Sequence, residues 1–171
     1  MTAVREQAPR TPPRFVVRTF WLLHRAAYRI TGGGFGLSRP VAGGRFGMMR
    51  LTTVGRRSGQ PRTAIIGYYE DGPNLVTLAM NGWGEKEPAW WLNLQSMPDT
   101  TVHLADGWRE VRARIATEAE RERLWAGFSE YPGWGHDIDG LAQRRPSETA
   151  VVVLEPRNPS TPEVGLHATP A

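Results

Sequence analysis

The chain has 171 residues, 40% of them hydrophobic, and carries 21 Lys and Arg against 17 Asp and Glu for a net charge of +4; that length supports one main domain with a core of its own. It has no cysteine, which excludes disulfides, thiolate metal sites, iron–sulfur ligation and a cysteine nucleophile. Lys86 is the only lysine and every other basic residue is arginine, whose planar fork suits phosphate and carboxylate.

Residues 1–13 hold Pro9, Pro12 and Pro13 among polar neighbours and read as a flexible arm, with no apolar core of a secretory signal. Over 14–30 the apolar residues Phe15, Leu22, Leu23, Ala26 and Ile30 recur at helical spacing, and Arg14, Arg18, Arg25 and Arg29 form a second stripe. Such a basic amphipathic helix can lie on an anionic membrane, or pack on protein. Its apolar run is far short of the ~20 residues of a membrane span. A Gly-rich linker follows, so 1–45 form an N-terminal region.

From Phe46 the period changes to that of strands. Met48 to Val54 predicts a strand, 55–61 a turn, 62–70 a β-branched and aromatic strand, 71–74 a turn, and 75–80 a third strand. Pro88 suits the first turn of a short helix over 89–97, ended by Pro98. Strands are predicted at 101–104 and 108–116. Thr117 and Glu120 form a capping box for a helix carrying Leu124, Trp125 and Phe128. The segment 131–145, broken by Gly133, Gly135 and Gly140, reads as irregular. Residues 150–154 are apolar on both faces, hence a central strand, and the tail 157–171 is expected to be disordered. The domain at 46–156 is therefore expected to be mainly β with helices, an α+β chain built as an antiparallel barrel of about six strands.

Three segments could carry chemistry. Gly55-Arg56-Arg57-Ser58-Gly59-Gln60-Pro61-Arg62 could cradle a phosphate between strands, through turn N–H groups, guanidinium forks and a hydroxyl. It lacks the Gly-Lys-Ser/Thr of a Walker loop. Around Asn81, the indoles Trp83, Trp90 and Trp91 could wall a planar ring, with one indole of the adjacent pair in the core and the other on a pocket. Tyr131-Pro132-Gly133-Trp134-Gly135-His136-Asp137 could act as an aromatic lid. The histidines lack ligand spacing, so no metal is expected. No Gly-x-Ser-x-Gly elbow is present, so a hydrolase reading has little support.

Taken in order, Leu51-Thr52-Thr53-Val54-Gly55-Arg56-Arg57-Ser58-Gly59-Gln60-Pro61-Arg62, then Glu87-Pro88-Ala89-Trp90-Trp91-Leu92-Asn93-Leu94 with Met97-Pro98-Asp99, then Tyr131-Pro132 and the closing strand to Pro156, resemble the deazaflavin-dependent nitroreductase family of actinobacterial F420H2-dependent oxidoreductases. The resemblance covers about 46–156. It implies a split β-barrel of the pyridoxamine-phosphate-oxidase type. It also implies an enzyme in which reduced coenzyme F420 gives a hydride to a quinone, nitro compound or activated alkene. Carried over by position, Arg56, Arg57, Ser58 and Arg62 would hold the cofactor phosphate. Met80, Asn81 and Gly82 would lie near its ring. Glu85, Lys86, Pro88, Ala89 and Trp90 would border ring and tail, and Tyr131 and Trp134 would cover the substrate.

The best-studied branch carries a Ser-Lys pair where this chain has Met80-Asn81, a tyrosine at Gly67, and a third lid aromatic at Asp137. These departures count against nitroimidazole activation more than against cofactor binding. Three alternatives stay open: the same fold holding FMN, a non-catalytic cofactor or lipid carrier, and a basic nucleic-acid-binding barrel. Against the last, the indoles gather around Glu85 and Glu87 instead of interleaving with basic strands, so no nucleic acid is expected as partner. The expected partners are a small-molecule hydride acceptor and, through 14–30, an anionic membrane surface. The expected location is the cytoplasm, with a peripheral position at the inner face of the membrane, as monomer or homodimer.

Overall fold

Strand β1 (Gly47–Val54) alternates buried and half-buried residues along its whole length, the period-two pattern of a strand with one face on a core. A computed structural model describes residues 36–81, 84, 86–131, 133, 138–143 and 145–157. The expected N-terminal arm, the basic helix at 14–30 and the tail from 158 lie outside the described residues. The remaining strands are β2 (Pro61–Asp71), β3 (Asn74–Leu78), β4 (Asp99–Leu104), β5 (Gly107–Ile115) and β6 (Val151–Pro156). All pairings are antiparallel, in the order β1-β2-β3-β6-β5-β4, and β4 returns to β1 through Arg50↔His103 and Thr52↔Thr101. The expected six-strand antiparallel barrel is thus the observed fold.

The barrel interior is apolar. Met49, Leu51, Tyr68, Val102, Val152 and Leu154 are all essentially inaccessible. Each such side chain contributes about 1.5–3 kcal/mol by burial. Exposed ion pairs such as Arg112–Asp99 contribute about 0–1 kcal/mol each. The interior therefore carries the stability.

A second apolar cluster lies on the outer face. Val151 and Val153 point into it while Val152 and Leu154 point inward, which explains why β6 is apolar on both sides. Helix α2 (Glu118–Gly127), the 3-10 turn Phe128–Glu130 and helix α3 (Ile138–Gln143) supply its cover. Glu120 Oε2 accepts the Thr117 N–H at 2.9 Å, as the capping pair predicts. Helix α3 departs from the irregular segment expected at 131–145. Its six residues are too few to show a period, and Gly140 argues locally against a helix. Tertiary contact holds it, through buried Ile138 and the bond from Trp125 Nε1 to Asp139 at 2.6 Å.

Helix α1 (Ala89–Ser96) plugs one end of the barrel with Trp90, Trp91 and Leu94. Pro88 opens it in an extended conformation, and its carbonyl accepts the N–H groups of Trp91 and Leu92. Met97 closes it, forced extended by the following Pro98. Strand β3 is short and pairs only with Tyr69–Asp71 of β2, while β2 pairs with β1 from Pro61 to Tyr68. The backbone ladder between the two strands ends at Tyr69↔Val76, Thr77 Oγ1 still donates to Gly67 O at 2.7 Å, and the outer face of β2 at Thr63, Ile65 and Gly67 is not buried.

Candidate active site

Antiparallel pairing gathers three segments at one end of the barrel. The turn 55–60 joins Val54 to Pro61 there, β3 ends there at Leu78, and α1 closes that end before β4 begins.

The turn is rigid. The Gly55 N–H donates to Gln60 O at 2.8 Å, and the Ser58 and Gly59 N–H groups donate to Gly55 O at 3.1 and 2.7 Å. The Gln60 N–H reaches Ser58 Oγ at 3.4 Å. Gly59 sits at φ +65, and a Cβ on Gly55 would fall 2.7 Å from Ser58 Oγ, so both positions call for glycine. The Arg56 N–H is taken by Asn93 Oδ1 at 3.1 Å. These bonds engage the N–H groups of Gly55, Arg56, Ser58, Gly59 and Gln60 within the protein. The side chains of Arg56, Arg57 and Ser58, and of Arg62 at the start of β2, are exposed. Among the described residues no carboxylate pairs with Arg56, Arg57 or Arg62, whereas Arg109, Arg112, Arg114 and Arg123 each hold one.

Asn93 is a site residue to which sequence reasoning assigns no role. It is buried at 4% exposure. Its Nδ2 donates to Thr53 Oγ1 at 3.0 Å, and that hydroxyl donates to Arg62 O at 3.4 Å. The amide therefore ties α1 to both sides of the turn. The available signal was one polar amide inside the apolar run Trp90-Trp91-Leu92-Asn93-Leu94.

On the outer face, Met80 and Tyr131 both pack against the second cluster. The Tyr131 ring stacks on Tyr69 at 5.4 Å and 17°. Tyr69 is held by its hydroxyl donating to Leu124 O at 2.7 Å and by an edge contact with Phe128 at 4.9 Å. Partial burial first, then the charges of Glu130 and Glu70, raises the Tyr131 pKa above its ordinary value, so its hydroxyl stays protonated at neutral pH. Trp90 and Trp91 are both buried, at 9% and 6%. Both pack in the cluster that fills the barrel end. Asn81, Lys86 and Ala89 are exposed and Pro88 is buried. Gly82, Trp83, Glu85, Trp134, His136 and Asp137 lie outside the described residues.

Residues 21–156 match the family model of the F420H(2)-dependent quinone reductases. The chain belongs to this family. The F420H(2)-dependent quinone reductase Rv1261c of Mycobacterium tuberculosis is 31% identical over 105 residues, covering 60% of this chain and 68% of that one. A second relative from that organism, Rv3178, is 33% identical over 124 residues, covering 72% of this chain and 98% of that one. A solved F420-H2 dependent reductase shares the fold, with TM-score 0.56 at 23% identity, over 69% of this chain and 99% of that one. The chain is accordingly an oxidoreductase, and coenzyme F420 is its cofactor.

The residues present fit that cofactor. An anionic phosphate needs cationic donors free of carboxylates, and the Arg56, Arg57 and Arg62 guanidinium groups pair with none among the described residues. An elongated molecule needs an open track. The outer face of β2 runs about 20 Å from Thr63 to Tyr69 at the rise of a strand, without a large side chain at Gly67.

Proposed function

We propose that this chain holds reduced F420 by its phosphate between Arg56, Arg57, Ser58 and Arg62. In this reading Met80, Asn81 and Gly82 border the ring, and Glu85, Lys86, Pro88, Ala89 and Trp90 border ring and tail. The acceptor is a small quinone-type molecule, covered by Tyr131 and Trp134. When bound, the cofactor supplies the hydride. The protein binds, orients and shields. Each charge-assisted bond from the turn arginines contributes about 1.5–3 kcal/mol to holding an anion. The protonated Tyr131 hydroxyl can donate to an acceptor oxygen as negative charge grows on it. Met80 and Asn81, in place of a Ser-Lys pair, take away a serine hydroxyl able to hydrogen-bond the ring or the acceptor, which counts against nitroimidazole activation.

The observation that carries this reading is the set of guanidinium groups, paired with no carboxylate among the described residues, on and beside a turn braced by Asn93. The test is a fluorescence titration of the full chain with F420 and, separately, with FMN. Reoxidation of F420H2 by a simple naphthoquinone is then followed. Saturable quenching by F420 and quinone-dependent turnover are expected. Tight FMN binding with no response to F420 removes the reading.

The basic stripe Arg14, Arg18, Arg25 and Arg29 supports a peripheral station at an anionic membrane, where an apolar quinone resides. Cosedimentation with anionic vesicles, lost when residues 1–30 are removed, is the expected result. Persistent binding after removal refutes the station.

A further inference from the structure

Among the described ion pairs, that of Arg145 with Glu87 has the one arginine side chain that is wholly inaccessible, at 0% exposure. A buried guanidinium is costly unless its donors are met. Here they converge on the segment after β3. Nη1 donates to Ala79 O at 3.1 Å, Nε to Gly84 O at 3.1 Å, and Nη2 to Glu87 Oε1 at 3.1 Å. A further Nη1 bond reaches Thr149 Oγ1 at 2.7 Å, which anchors the whole group next to β6. Ser147 Oγ adds a 3.3 Å bond to the same Glu87 oxygen.

Backbone bonds hold the described residues of the segment 79–88 at both ends, the second through Pro88 O, and at one turn between. Among its described residues, the Ala79 N–H donates to Ala150 O, the Met80 N–H to Leu78 O and the Gly84 N–H to Asn81 O. Met80, Asn81 and Lys86 sit between the three points that Arg145 grips. We infer that Arg145 is a positioning residue for hydride transfer: it fixes the path of 79–88, and so places Met80, Asn81 and Lys86 against the reacting ring and its acceptor. This rests on the cofactor placement proposed above. Arginine is required because the three acceptors lie around a planar fork, and a lysine ammonium cannot span them. The phosphate turn is braced separately, by Asn93, so binding and turnover should respond differently to loss of Arg145.

The experiment compares wild type, Arg145→Lys and Glu87→Ala. For each, the F420 dissociation constant, kcat and KM with a naphthoquinone, the melting temperature, and amide hydrogen exchange over 55–60 and 79–88 are measured well below melting. Arg145→Lys is expected to lower kcat about tenfold or more, since small misplacement of reacting groups is costly. It should speed exchange over 79–88, and leave F420 affinity within about threefold and exchange over 55–60 unchanged. Glu87→Ala, which removes one of three anchors, should show a smaller fall of the same kind. A lowered melting temperature with kcat within about twofold of wild type in the folded variants makes Arg145 a stability residue only and overturns the inference. If Arg145→Lys does not fold, Glu87→Ala decides on the same criterion. Failure of wild type to bind F420 refutes the proposed function instead.

Discussion

Asn93 Oδ1 accepts the backbone N–H of Arg56 at 3.1 Å, joining helix α1 to the turn that carries the arginines across 37 positions of sequence. Asn93 is buried and Arg56 is exposed, so the bond transmits the order of the core to a surface cation. Asn93→Ala leaves the buried Thr53 hydroxyl without its donor. The expected loss is about 1–3 kcal/mol of stability, read by denaturant unfolding, with a weaker F420 affinity. Unchanged affinity in the folded variant would show that the turn keeps its shape without the helix.

The double substitution Arg56→Ala and Arg57→Ala separates binding from folding. Both side chains are exposed and make no ion pair among the described residues, so the melting temperature should barely move. Loss of two charge-assisted donors should weaken F420 binding by about tenfold to a hundredfold, and the salt dependence of binding should flatten. Retained affinity in this variant would place the phosphate elsewhere.

Acid stability follows from Glu120. Its carboxylate receives Arg114 at 2.7 and 2.8 Å and the Thr117 N–H at 2.9 Å. The Arg114 bond, then the two Thr117 bonds, lowers its pKa from 4.5 to about 2. A carboxylate with a depressed folded pKa stabilises the fold above its unfolded pKa and loses that contribution as pH falls through the folded value. The window is therefore from about pH 4.5 down to about 2. Glu120→Gln should remove that part of the acid sensitivity, read as denaturation midpoint against pH. Parallel profiles for the two proteins would show that the pair contributes nothing.

Tyr68 gives the opposite kind of prediction. It is fully buried in the barrel, and its hydroxyl has no hydrogen-bond partner among the described residues. Burial first, and the charges of Glu70 and Asp106 second, push its pKa up to about 12. Removing an unsatisfied buried hydroxyl relieves its desolvation cost, so Tyr68→Phe should hold or raise stability by about 1 kcal/mol. A clear fall in melting temperature would mean that the hydroxyl is satisfied in solution, for example by a buried water.

The sequence by itself determined what depends on short-range geometry. Alternation along 48–54, the turn residues Asp71-Gly72-Pro73, the Thr117 and Glu120 pair and the doubly apolar run at 150–154 settled the strands, a cap and a central strand. The order of the Gly55–Arg62 and Glu87–Leu94 motifs pointed to the family. Tertiary structure alone decided three things. It engaged the N–H groups of Gly55, Ser58, Gly59 and Gln60 in bonds within the turn. It held the six-residue helix α3 by packing rather than by propensity. It brought Asn93 to Arg56, and Arg145 to Ala79, Gly84 and Glu87. The reason is register: hydrogen bonds of about 3 Å between distant segments depend on how the strands of a closed barrel align. No local period in the chain encodes that alignment across dozens of residues.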